Sequence, residues 1–175
     1  MPIIGRRRGR EKRRPWRGPV RLKNFWIMQD QNAIYLIDGH AHIYRAYHAV
    51  SGLTAPSGEP TNATFGFAGM LLRLLSQRRP AYLALAMDAG SKKRIELDEN
   101  YKAQRKPMPT DMPVQIQRIE QIVATLGIPI LRTEGCEADD VIATVVRRVR
   151  DDATMAAMKL YICSRENHVG RRPFR

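Results

Sequence analysis

Residues 33–39, Ala-Ile-Tyr-Leu-Ile-Asp-Gly, decide the fold class of this 175-residue chain. An apolar run without polar alternation, closed by Asp38-Gly39, reads as a short strand buried on both faces. The same form recurs at AYLALAM (81–87), which ends at Asp88, at IPILR (128–132) and at KLYIC (159–163). Between these runs the apolar period becomes that of a helix. Residues 40–49 are expected to form one helix. Thr61 is placed to cap a second, running to about Gln77 with Phe65, Met70, Leu71, Leu74 and Leu75 as its stripe. Thr110 is placed to cap a third through about Leu126, with Pro113 tolerated in its first turn and Ile116, Ile119, Ile122, Val123 and Leu126 facing inward. A fourth, from 137 to about 151, buries Val141, Ile142, Val145, Val146 and Val149. Strands that alternate with helices and are apolar throughout predict an α/β protein, a parallel central sheet flanked by helices.

In such sheets ligands collect beyond the carboxyl ends of the strands. Asp38 and Asp88 stand at two of those ends. EGCEADD (134–140) adds Glu137, Asp139 and Asp140 at the start of the fourth helix. Each acid alone has an ordinary explanation, as a turn residue, a strand end or a helix N-terminal acid favoured by the dipole. Together they exceed what a cap requires. Like charges about 5 Å apart repel by roughly 3 kcal/mol at an effective dielectric near 20, so such a cluster needs raised pKa values or bound cations. An oxygen-only donor set selects Mg²⁺ or Mn²⁺, and two such ions can clamp a phosphodiester during displacement. The chain has no HExxH pattern, which argues against zinc hydrolase chemistry of that kind.

Against these acids the chain carries a formal net charge of +13, which favours a polyanionic partner. The charge is uneven. Residues 1–30 hold ten Lys/Arg against Glu11 and Asp30, and residues 164–175 hold four Arg against Glu166. The middle of the chain is close to balanced, so the bulk charge says little about the core. Residues 1–30 have no apolar period and read as a disordered basic arm. Cys136 and Cys163 have no paired spacing, which excludes a disulfide framework and fits a reducing compartment. No apolar run approaches the ~20 residues of a membrane span, and the N-terminus lacks a secretory apolar region. A cytoplasmic protein is expected. Nothing in the sequence speaks to oligomeric state, and no small-molecule cofactor is called for.

The segment SKKRIELDENYKAQRK (91–106) interleaves six Lys/Arg with Tyr101, directly after the acid that ends the second strand. Basic groups beside an aromatic can hold a single strand by phosphate contact and base stacking, although such a segment is also compatible with a solvated loop.

Four blocks, LIDGHAHIYRAYHA (36–49), GEPTNATFGF (58–67), the LAMD–R–YKAQR stretch (85–105) and GCEADDVIAT (135–144), resemble the bacterial 5′→3′ exonuclease family. That family is the flap-endonuclease-like, PIN-like (resolvase-like) N-terminal domain of DNA polymerase I. The likeness runs over roughly 33–163 in the family's order. It implies a Mg²⁺-dependent nuclease (Mn²⁺ as substitute) acting on DNA at 5′ ends, flaps and single-strand/duplex junctions. It implies that Asp38, Asp88, Glu137, Asp139 and Asp140 are metal-site acids. Lys102 and Arg105 match the family's basic helix at the scissile phosphate and are the expected catalytic cations. Arg94 matches a further basic position, and Tyr101 is placed to stack on a terminal base, completing a DNA-binding set of Arg94, Tyr101, Lys102 and Arg105.

The family also has an Asp-x-Asp pair after the fourth strand, where this chain has Glu166 and His168, followed by an acidic loop and a helix–hairpin–helix element with no counterpart here. The expected organisation is therefore a basic arm (1–30), an incomplete nuclease domain (31–163) and a divergent basic tail (164–175), with one metal site whole and the second cut away. Two functions stay open, an impaired nuclease and a non-catalytic DNA-binding remnant. A receiver or phosphatase fits less well, because Asp38 is followed by Gly39-His40 and the basic segment would go unexplained.

Overall fold

A computed structural model of the chain describes residues 30–98, 101, 104 and 107–164. Four parallel strands form one sheet in the order β3-β2-β1-β4. β1 (Asp30–Asp38) lies at its centre, between β2 (Pro80–Ala86) and β4 (Lys159–Cys163), and β3 (Ile130–Leu131) pairs with the far side of β2. The helices α1 (Gly39–Ala49), α2 (Asn62–Arg78), α3 (Lys92–Leu97), α4 (Met112–Thr125) and α5 (Ala138–Asp151) make the connections. This is the α/β, resolvase-like arrangement that the sequence predicts.

The period of two along β1 divides its apolar residues between two cores. Ile37 packs with α1, α2 and α4 through Ile43, Phe67, Leu71, Met112, Ile119 and Val123. Ile34 and Leu36 face the other way, against Ala138, Val141 and Ile142 of α5. Residues 33–37 are all buried, which is why this strand shows no polar alternation. Tyr35 also stacks on Tyr161, its register partner on β4, with ring centroids 4.7 Å apart.

Gly39 sits where α1 begins directly against β2. A Cβ there would run into the Met87 sulfur and lie 2.9 Å from the Ala86 carbonyl oxygen. Asp38-Gly39 is thus a close approach of helix to strand, which brings the end of β1 beside the end of β2.

Several local expectations change. On α2 the buried face is Ala63, Phe67 and Leu71, while Phe65 is 65 % exposed, because it lies two residues off that i, i+4 stripe. Met70, Leu74 and Leu75 do pack against the core. On α4 Met112, Gln115, Ile119 and Val123 are buried and Ile116 packs against the core, while Leu126, past the last turn, is exposed. The cap of α4 is Asp111 rather than Thr110. Thr61 stands at the N-cap of α2 as expected, but makes no side-chain cap bond. Instead Gln115, fully buried on α4, accepts the Ala63 N–H at 2.8 Å and the Thr64 N–H at 3.3 Å. Its amide donates to Asn62 Oδ1 at 2.9 Å, and Asn62 donates to the Tyr47 carbonyl at 2.8 Å. A buried polar cross-link thus joins α1, α2 and α4. The basic segment after Asp88, compatible by sequence with a solvated loop, holds the short helix α3 among the described residues. β1 begins at Asp30, inside the span assigned to the arm. The rest of that arm (1–29) and residues 165–175 of the tail lie outside the described residues.

Candidate active site

Asp38 ends β1 and caps α1, its Oδ1 accepting the Ala41 N–H at 3.1 Å. Asp88 follows β2 and caps the next layer, its Oδ1 accepting the Ala138 N–H at 2.7 Å. Paired backbone bonds fix that second link: the Ala89 N–H donates to the Cys136 carbonyl and the Gly135 N–H to the Ala89 carbonyl, each at 2.9 Å. Gly90, at φ +108°, permits this close pass. The end of β2 and the start of α5 are therefore tied as one unit.

Burial holds the Asp38 carboxyl above its ordinary pKa despite the bond from Ala41, and the neighbouring charges of Asp139 and Asp88 push it further up, with His40 opposing. Acids from the end of β1, the end of β2 and the first turn of α5 thus meet electrostatically at one edge of the sheet. His40, a positioning group that sequence reading passed over, accepts the Asp88 N–H on Nδ1 at 3.1 Å. Its place two residues after Asp38, opposite the end of a parallel neighbour, is the signal that points to it.

Glu137 and Asp140 are engaged differently. Glu137 is buried, and its Oε1 accepts Ser91 Oγ–H at 2.5 Å while Oε2 accepts the Tyr101 hydroxyl at 3.1 Å. Asp140 Oδ2 accepts the Glu137 N–H at 3.1 Å, and Oδ1 accepts Arg94 at 2.8 Å. Arg94 also donates to the Tyr101 hydroxyl at 2.9 Å and lies over the Tyr101 ring. Ser91 is a further residue that sequence reading missed; as the first polar residue of a basic segment it gave no signal of its own.

The structure therefore brings Asp38, Asp88 and Asp139 to one edge, and Glu137 and Asp140 beside them under Arg94 and Tyr101. Among the described residues, no group of three or more His, Cys, Asp or Glu side chains is arranged to hold a metal ion as it stands. Lys102 and Arg105 lie outside the described residues, as do Glu166 and His168. An open cleft of about 750 Å³ flanks the Arg94–Asp140 pair, with Leu131, Val141 and Val145 in its walls and Arg132 and Arg148 on its rim. No described helix is long and apolar enough to cross a membrane.

Residues 33–168 match the family described as 5′-3′ exonuclease, N-terminal resolvase-like domain. DNA polymerase I of Chloroflexus aurantiacus is 48 % identical over 120 residues, covering 67 % of this chain and 13 % of the relative. A 5′-3′ exonuclease of Aquifex aeolicus is 41 % identical over 116 residues, covering 66 % and 40 %. A bacteriophage T5 flap endonuclease, solved with DNA and metal ions, superposes with a TM-score of 0.53 at 13 % identity over 75 % of this chain and 48 % of that one. The chain thus spans only a minor part of the curated relatives it matches. On the family match and the identities with these relatives, the chain belongs to the 5′-3′ exonuclease N-terminal, resolvase-like domain family.

Proposed function

We propose that this chain is a 5′-nuclease domain that hydrolyses DNA phosphodiester bonds at 5′ ends, flaps and single-strand/duplex junctions, with Mg²⁺ or Mn²⁺ as cofactor. One observation carries the reading: acids from β1, β2 and α5 meet at one sheet edge, in a chain of this family. The elevated Asp38 carboxyl supports it, because crowded half-buried carboxylates are what a bound cation would relieve. The all-oxygen donor set fits a hard divalent ion held by Asp38, Asp88 and Asp139, with Glu137 and Asp140 adjoining. Such an ion would supply Lewis-acid charge to a phosphodiester when bound.

The chain's own groups do the rest. The Ala41 and Ala138 amides fix the orientation of two carboxylates before any ligand arrives. His40 fixes the backbone from which Asp88 projects. Tyr101 offers an aromatic face and Arg94 a cation beside the acids, in the DNA-binding role proposed for both. Lys102 and Arg105 are proposed to contact the scissile phosphate. A cytoplasmic location goes with this reading.

The test incubates the purified chain with a 5′-flap duplex and Mg²⁺, beside Asp139→Asn. The proposal expects Mg²⁺-dependent cleavage that the substitution removes. Binding with steep salt dependence but no Mg²⁺-dependent cleavage would replace it with a non-catalytic DNA-binding role.

A further inference from the structure

All four carboxylate oxygens of Glu137 and Asp140 have a donor. Ser91, Tyr101, Arg94 and the Glu137 backbone N–H each take one. Three of those four donors come from α3 and its flanks. Arg94 reaches both acids, lying 2.8 Å from Asp140 Oδ1 and 3.7 Å from Glu137 Oε2. Its planar fork spans the pair while a second bond goes to Tyr101, an arrangement that a single ammonium could not reproduce. Pairing with Asp140 raises the Arg94 pKa further, so the charge is permanent. Meanwhile α3 is only six residues long and leaves Ile95 about half exposed, and these polar ties join it to the start of α5.

We propose that Arg94 is the built-in counter-cation of the Glu137–Asp140 pair, which a divalent ion must displace, so that metal loading and release of α3 from α5 are one event. A carboxylate lone pair directed at a guanidinium is not available to a metal ion, and two cations at one carboxylate pair repel. The inference rests on the proposal that these acids serve a divalent ion. It differs in kind from that proposal, because it concerns what holds them beforehand.

The experiment measures amide hydrogen exchange across Lys92–Asp98 with Mg²⁺, and with NaCl at matched ionic strength. It uses the wild-type chain, Arg94→Gln and Arg94→Lys, with folding checked by far-UV circular dichroism. The Ile95 and Asp98 amides, bonded to the Ser91 and Arg94 carbonyls, report on α3. In the wild type Mg²⁺ should speed their exchange about tenfold, the scale on which one charge-assisted bond at a half-exposed site shifts an equilibrium. In Arg94→Gln exchange should be fast without Mg²⁺ and indifferent to it, and Mn²⁺ should bind about tenfold more tightly. Arg94→Lys should fall between. Unchanged or slowed exchange with Mg²⁺, an equal response to NaCl, or weaker Mn²⁺ binding by Arg94→Gln would overturn the inference. Cleavage without an exchange response sinks this inference alone, and an exchange response without cleavage sinks the proposed function alone.

Discussion

The start of α2 offers a direct trial of how this fold is held. Thr61 stands at its N-cap, as the sequence predicts, but the side-chain acceptor there is Gln115, fifty-two residues away from Ala63 along the chain. Replacing Gln115 with Leu keeps the volume and removes both polar functions. The Ala63 N–H loses its 2.8 Å acceptor at a residue with no solvent exposure, and Asn62 Oδ1 loses its 2.9 Å donor. An orphaned buried group costs about 1–3 kcal/mol, and the added apolar contact offsets part of two such losses. The net expectation is about 3 kcal/mol, or about 10 °C in Tm for a domain of this size. Thr61→Ala should change stability by less than about 0.5 kcal/mol, since its hydroxyl meets only the exposed Leu53 carbonyl, at 3.4 Å. Urea denaturation followed at 222 nm gives both values. A Thr61→Ala loss equal to or larger than that of Gln115→Leu would refute the assignment of the cap.

Three further outcomes follow from the packing. Gly39→Ala should destabilise by about 2 kcal/mol, because the Ala86 carbonyl, 2.9 Å from the new methyl, belongs to a paired strand and cannot retreat; urea unfolding within about 0.5 kcal/mol of wild type would contradict this. Burial lowers the His42 pKa from 6.5, against a bond to the Cys163 backbone, so the unfolded chain binds the proton more readily. Stability should therefore fall as pH drops from about 6.5 through the lowered folded value, and His42→Leu should flatten that part of the pH profile in urea titrations at pH 5 and 7.5. A double-mutant cycle with Tyr35→Leu and Tyr161→Leu should give a coupling of about 0.5–1.5 kcal/mol, and additive losses would show that the stacked pair contributes no more than its separate burial.

β1 was legible because residues 33–37 are buried on both faces, and β2 because its apolar run continues to a buried end at Leu85 and Ala86; the two runs close on Asp38 and Asp88. Asp139 and its neighbours were legible for a similar reason: three acids in one helical turn are more than a cap needs. What escaped was whatever depends on contacts between distant segments. Gln115 reads as a surface polar residue until α2 is laid against α4. Phe65 and Phe67 are equally apolar, and only the packing of α2 against β1, α1 and α4 decides which one is inside. Ser91 and His40 act through single bonds to Glu137 and to the Asp88 backbone, which no local pattern encodes. The division of the five acids into an edge group and a pair held by Arg94 likewise depends on where α3 comes to rest.

The central claim is that Asp38, Asp88 and Asp139 form the core of a divalent-cation site. Electron paramagnetic resonance of free Mn²⁺, titrated with the chain, tests it without requiring turnover. The account predicts saturable binding that weakens about tenfold or more in Asp38→Asn and in Asp139→Asn. It predicts no change in Glu134→Gln, an exposed acid three residues before α5's cap. Binding that is unaltered by Asp139→Asn, or lost equally in Glu134→Gln, would contradict it.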